Sequence, residues 1–227
     1  MSTPLHVTTT GPASGSPATL LFVHGVDSDS EVWTPTIDLL SDHLCVAADL
    51  PGHGKSPVST EPSAYERSAM LEDLDAVISE LSRPVVFVGH SLGGYLGMAY
   101  ALTRPDAVDA LVLVSTGPGF RDPEARQGWN SRLLKNAPSY GVSELAATVG
   151  LHVDSMVIDR MTDLTLPVAL VIGDGDKAYL GANDYMEKKL PHADRTTVEG
   201  ARHYVMRSHP DQVSTAIRNI AASLPGN

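Results

Sequence analysis

Short, continuously apolar runs that alternate with stretches of helical spacing constrain this chain more than any other feature. The runs fall at residues 18–23, 44–48, 85–88, 110–114 and 168–172, with a weaker one at 195–198. Unbroken apolarity, rather than strict alternation, is what a strand needs when both of its faces are covered. Between the runs, residues 31–41 carry Val32, Trp33, Ile37 and Leu40, and residues 64–82 carry Met70, Leu71, Leu74, Val77, Ile78 and Leu81. Residues 210–224 place Val213, Ile217 and Ile220 on one helical face. Strands alternating with helices predict an α/β fold, a mostly parallel sheet with helices on both faces. Residues 4–9 add one short edge strand. A length of 227 residues suits one well-filled domain and would cramp two.

The alternation stops between Thr116 and Leu166. Gly117-Pro118-Gly119-Phe120 ends a strand, and about fifty residues of irregular helical patterning follow. Residues 1–116 and 166–227 therefore read as the core, and 117–165 as a small helical lid. Such an insertion sits above the carboxyl ends of the strands, where open α/β sheets place their sites.

Charge excludes some classes of partner. The formal net charge is −11 and no basic cluster exceeds a few residues, which disfavours nucleic acid and anionic membranes. The apolar runs are far too short to span a bilayer. Residues 1–17 lack the basic flank and apolar centre of a secretory signal, so a cytoplasmic location is expected. Cys45 is the only cysteine, which rules out an internal disulfide or a multi-cysteine metal site. Its place within a strand reads as core packing.

One string carries chemistry. Gly89-His90-Ser91-Leu92-Gly93 follows an apolar run and opens a helix-like segment, the arrangement of a nucleophile elbow. The chain turns so sharply there that a side chain at 89 or 93 would clash, and Ser91 is expected in a strained, exposed conformation. A serine hydroxyl is a weak nucleophile until a base takes its proton and a third group orients that base. In this architecture the chain order is serine, acid, histidine. Among nine histidines, His203 follows the last strand and precedes the last helix. His24, His53 and His90 come too early, His152 falls in the lid, and His192 and His209 have surface-like proline neighbours. Gly173-Asp174-Gly175-Asp176 supplies two candidate acids at the end of the 168–172 strand. The developing oxyanion needs two backbone N–H groups. Leu92 offers one at a helix start, and Val26, in His24-Gly25-Val26-Asp27, offers the other, with Gly25 permitting close approach.

Taken together, the motifs are specific. The chain resembles the α/β-hydrolase fold superfamily across essentially its whole length. The matching pieces are His24-Gly25, Asp49-Leu50-Pro51-Gly52-His53-Gly54-Lys55-Ser56, Gly89-His90-Ser91-Leu92-Gly93-Gly94, Gly173-x-x-Asp176 and Gly200-Ala201-x-His203. The resemblance implies a Ser91–His203–Asp176 triad, selecting Asp176 over Asp174, and makes the Asp49–Ser56 turn structural. It implies no metal or organic cofactor. The short N-terminal part implies a trimmed antiparallel edge. A serine at 91 argues against dehalogenase or epoxide hydrolase chemistry, for which similar enzymes carry an aspartate.

The expected activity is hydrolysis of a small-molecule ester, thioester or lactone through an acyl-enzyme. Within the same superfamily, the rivals are carbon–carbon bond hydrolysis, a lyase reaction like that of the menaquinone-pathway synthase, and perhydrolysis. From another class, a ligand receptor can retain a slow triad. Phe120 and Trp129 open the lid and have two readings: walls of an apolar acyl pocket, or anchors of the lid on the core. Arg121, Glu124, Arg126 and Arg132 are read as a solvated helix face.

Overall fold

The structure, a computed structural model, describes residues 4–225. Among them one sheet is built from β1 (Val7–Thr10), β2 (Thr19–Val23), β3 (Leu44–Ala48), β4 (Val85–His90), β5 (Ala110–Val114), β6 (Val168–Gly173) and β7 (Ala193–Val198). Their spatial order is β1-β3-β2-β4-β5-β6-β7. β1 runs antiparallel to β3, with Val7 opposite Ala48, and the other neighbouring pairs are parallel. The helices are α1 (Thr34–Ile37), α2 (Arg67–Ile78), α3 (Leu92–Thr103), α4 (Pro123–Asn136), α5 (Glu144–Ala147), α6 (Met156–Arg160), α7 (Leu180–Lys189), α8 (Val205–Ser208) and α9 (Pro210–Ala222). None of them is long and apolar enough to cross a membrane.

The pleat sorts the apolar runs into two cores. Leu21, Val23, Phe87, Leu111, Leu113 and Leu170 face one side, against Leu74, Leu96 and Tyr100 of α2 and α3. Leu20, Phe22, Val86, Val88, Val112 and Val171 face the other, against Trp33, Val213 and Ile217. Because successive strand residues point to opposite faces, only a run apolar at every position fills both layers. Cys45 is 1% exposed in the second core, and burial pushes its thiol up to about 12.

Several boundaries differ from the sequence reading. The edge strand lies at Val7–Thr10, not 4–9. The helical stretch expected at 31–41 is split. A 3-10 turn at Ser30–Trp33 gives way to the four-residue α1, because Pro35 has no N–H to continue the hydrogen-bond ladder. The stretch at 64–82 is interrupted at Glu66, whose extended ψ of 148° separates a 3-10 turn from α2. Residues 117–165 fold as α4, α5 and α6 joined by 3-10 turns. Leu133, Ala137 and Ala147 form a small apolar cluster of their own there, and Arg67 of α2 makes a bidentate pair with Asp154 that ties this segment to the core.

Candidate active site

The turn after β4 cannot hold a side chain at either flanking glycine. A Cβ on Gly89 would lie 2.4 Å from the Gly93 carbonyl carbon, and one on Gly93 would lie 2.2 Å from the Val23 carbonyl oxygen. Between them Ser91 has a φ of 51°, a left-handed conformation that costs a non-glycine residue about 1–3 kcal/mol. Its N–H donates to the Val114 carbonyl at 2.9 Å, and its carbonyl accepts from the Thr116 hydroxyl at 2.6 Å. Asn183 of α7 in turn donates to the Thr116 carbonyl at 2.9 Å. The strained turn is thus held from β5 and α7. Contrary to the sequence reading, Ser91 is not exposed: it is 9% accessible, because α4 and Tyr179 lie over it.

His203 sits in the loop between β7 and α8, and Asp176 in the loop after β6. The His203 Nδ1 and Asp176 Oδ2 atoms are 2.9 Å apart, with the carboxylate 5% and the imidazole 27% exposed. A carboxylate only accepts, so Nδ1 carries a proton in this contact, and in a neutral ring Nε2 is then the acceptor. Asp174 does something local instead, accepting the Gly200 N–H at 2.9 Å. His90 steadies the loop from behind. Its Nε2–H donates to the His203 carbonyl at 3.0 Å, and burial holds its pKa well below the ordinary value, keeping it neutral.

The Ser91 hydroxyl, Asp176 and His203 line one cavity of about 310 Å3 with Val26, Tyr179 and Arg132. Among the described residues no hydrogen bond joins the Ser91 hydroxyl to His203; the hydroxyl lies 3.4 Å from the Tyr179 hydroxyl instead. Tyr179 also stacks on the His203 ring, with centroids 4.9 Å apart and planes at 18°. Burial pushes its phenol up to about 12, so it stays protonated at neutral pH. The sequence reading missed Tyr179.

A second hollow of about 30 Å3 opens beside Ser91, lined by Val26, Leu92, Tyr95, Trp129, Leu133 and His152 among others. Neither the Val26 nor the Leu92 N–H donates a hydrogen bond to any described residue. Both are therefore available to an oxygen placed beside Ser91. The Val26 loop is pinned at its carbonyl, which lies 2.9 Å from His53 Nε2. Gly25 is needed for that approach, since a Cβ there would lie 3.2 Å from the Ser91 Cβ and 3.0 Å from His90 Nδ1. Asp49 is structural, its carboxylate accepting the Ser30 and Lys55 N–H groups at 2.7 and 2.8 Å.

The two aromatic candidates separate. Trp129 lines both hollows at Ser91. Phe120 lines neither; it packs behind Trp129 and His152, at centroid distances of 5.7 and 5.3 Å. As a substrate wall Phe120 is therefore corrected to a support for Trp129. Arg121 and Arg126 stand away from Ser91: Arg121 pairs with Asp159, and Arg126 reaches the Phe120 carbonyl. A larger groove of about 600 Å3 between α2 and residues 148–156 lies outside this site, and its two arginines are ion-paired. Among the described residues no group of three His, Cys, Asp or Glu side chains is placed to hold a metal ion.

The sequence profile for the alpha/beta hydrolase fold matches residues 18–157. The pimeloyl-[acyl-carrier protein] methyl ester esterase of Aliivibrio salmonicida is 26% identical, over 96% of this chain and 95% of its own. The 2-(acetamidomethylene)succinate hydrolase of Mesorhizobium japonicum is 27% identical over 90% and 88%. A thermophilic esterase from Thermogutta terrifontis superposes with a TM-score of 0.80 at 22% identity, covering 95% of this chain and 92% of that one.

Proposed function

The chain belongs to the α/β hydrolase fold family, and we propose that within it this enzyme is a serine hydrolase that cleaves a carboxylic ester or thioester through Ser91, His203 and Asp176. The observation that carries the reading is the His203–Asp176 pair opening on the same cavity as the Ser91 hydroxyl, with two free N–H groups beside it. Neutral esters fit better than polyanionic substrates, since Arg132 is the one arginine or lysine lining either hollow among the described residues.

The step begins with rotation of the Ser91 hydroxyl from Tyr179 towards His203 Nε2, a local side-chain motion. Resting-state distances in such sites often tighten only when substrate binds. His203 takes the serine proton as the Ser91 oxygen bonds to the carbonyl carbon. The carbonyl π electrons move to its oxygen, which the Val26 and Leu92 N–H groups receive. The start of α3 adds the positive end of a helix dipole there. As the tetrahedral species collapses, the bond to the leaving group breaks and His203 gives that group its proton. Asp176 holds the imidazolium in place throughout. Water then repeats the sequence on the acyl-enzyme, restoring Ser91. Residues 117–165 act as a small cap that keeps bulk water off the acyl side. The single buried cysteine suits a cytoplasmic enzyme.

Steady-state hydrolysis of p-nitrophenyl acetate tests this. Wild type is expected to turn over continuously, and Ser91→Ala to lose at least about a thousandfold in kcat. A single burst without turnover would indicate a receptor; full activity in Ser91→Ala would remove the serine from the reaction.

A further inference from the structure

The two hollows at Ser91 are unequal, and the position of His203 decides which is which. The base that returns its proton must reach the leaving-group oxygen, so the leaving group lies on the His203 side. That is the hollow of about 310 Å3, lined by Asp176 and His203 and rimmed by Asp27, Arg132 and Asn136. The acyl substituent then points the other way, into the hollow of about 30 Å3 that contains neither His203 nor Asp176. A water-sized body needs roughly 10–15 Å3 of such space, so two or three fill it, and the carbonyl oxygen received by Val26 and Leu92 takes one of those places.

Trp129 and Leu133 line both hollows, and the wall they form between them is tightly built. Leu133 is 4% exposed, and its Cδ1 lies 2.5 Å from where a Cβ on Gly150 would sit. The Val26 Cγ2 is 3.2 Å from the same point. Leu133 therefore fills the space that the missing Gly150 side chain leaves. Trp129 closes the flank, backed by Phe120 and facing Tyr179 edge-on at 6.2 Å. The opposite flank is Tyr95, packed edge-on against His152 at 4.4 Å. Walls backed by other rings do not yield to an extra methylene without displacing their neighbours.

We propose that the acyl side of this site closes one to two carbon atoms beyond the carbonyl carbon, so that the enzyme selects acetyl and propionyl esters or thioesters, with Leu133 and Trp129 as the residues that set the limit. This rests on the serine hydrolase reading, and places the larger, more polar part of the substrate in the leaving group.

The test is kcat/KM across p-nitrophenyl esters of two, three, four, six and eight acyl carbons, which share one leaving group. Wild type is expected to favour the two- and three-carbon esters and to lose at least about tenfold by six carbons. Leu133→Ala is expected to raise the six-to-two-carbon ratio at least about tenfold. Leu133→Val, a milder change, should move the ratio the same way by less, and Trp129→Leu should also raise it. A ratio within one protein does not move when folding alone is impaired. Wild-type preference for six or eight carbons, or a ratio unmoved in all three folded variants, overturns the acyl limit while leaving the hydrolase reading standing. No turnover of any ester, with no phosphonate labelling of Ser91, brings down both.

Discussion

Acidification should unfold this protein well above the pH at which its carboxylates protonate, because three histidines are kept neutral in the fold. Burial lowers His24 to about 4, and its hydrogen bonds agree: the Leu50 N–H donates to His24 Nε2 at 2.9 Å, leaving Nδ1–H to donate to the Gly25 carbonyl at 2.6 Å. Protonating Nε2 would set two donors against each other. Burial, with the Arg67 charge nearby, lowers His152 to about 4 as well. His90 is shifted in the same direction. Each folded pKa lies below the roughly 6.5 of an unfolded histidine, so the unfolded state binds the extra protons. Stability is thus complete above about pH 6.5 and is lost as pH falls towards 4. At about pH 5, a group at 4 folded and 6.5 unfolded gives up about 2 kcal/mol, so His24 and His152 together account for about 4. With His90 included, the slope near pH 5 approaches about 4 kcal/mol per pH unit, or three protons taken up on unfolding. Urea denaturation at pH 7.5, 6.5, 5.5 and 5.0, in enough salt to screen the net charge, measures this directly. His152→Gln should reduce the slope by about one proton. A stability that is flat or rising between pH 7.5 and 5 would refute the reasoning, because it would mean these imidazoles titrate alike in both states.

Two further outcomes concern the elbow and the residue that sequence reasoning missed. Gly93→Ala drives a Cβ into the Val23 carbonyl and should cost at least about 3 kcal/mol, whereas Gly200→Ala, at a φ of 74° with no atom within 4 Å, should cost about 1–2. Equal midpoint shifts in urea would contradict the packing account of the turn. Tyr179→Phe removes the hydroxyl that holds Ser91 in the resting state while keeping the ring stacked on His203. Phosphonate labelling should then speed up about two- to fivefold, as loss of one weak hydrogen bond allows. A tenfold or greater slowing would instead put the phenol in the transition state.

Much of the fold is legible in the sequence because strands buried on both faces advertise themselves. Runs such as 110–114 and 168–172 mark β5 and β6 closely. α7 is not legible, since it buries only Asn183 and Met186 and carries Gly181, Asn183 and Asp184, which are poor helix formers. The local signals of the site, the glycines around Ser91 and the aspartates after β6, are short-range and readable. What escapes is contact between distant segments. Tyr179 reaches Ser91 only because the loop after β6 meets the turn after β4 in space, and no local pattern sets a tyrosine there apart from a solvated one. Phe120 and Trp129 look alike in the chain; only the packing of α4 puts one at the hollow and the other behind it.

Whether Ser91 is a nucleophile served by His203 is decided by intact-mass spectrometry after reaction with a fluorophosphonate. A single adduct per chain is expected, on the peptide containing Ser91. It should be absent in Ser91→Ala, and should form at least about a thousandfold more slowly in His203→Gln. An adduct at another residue, or a rate unaffected by His203→Gln, would contradict that assignment.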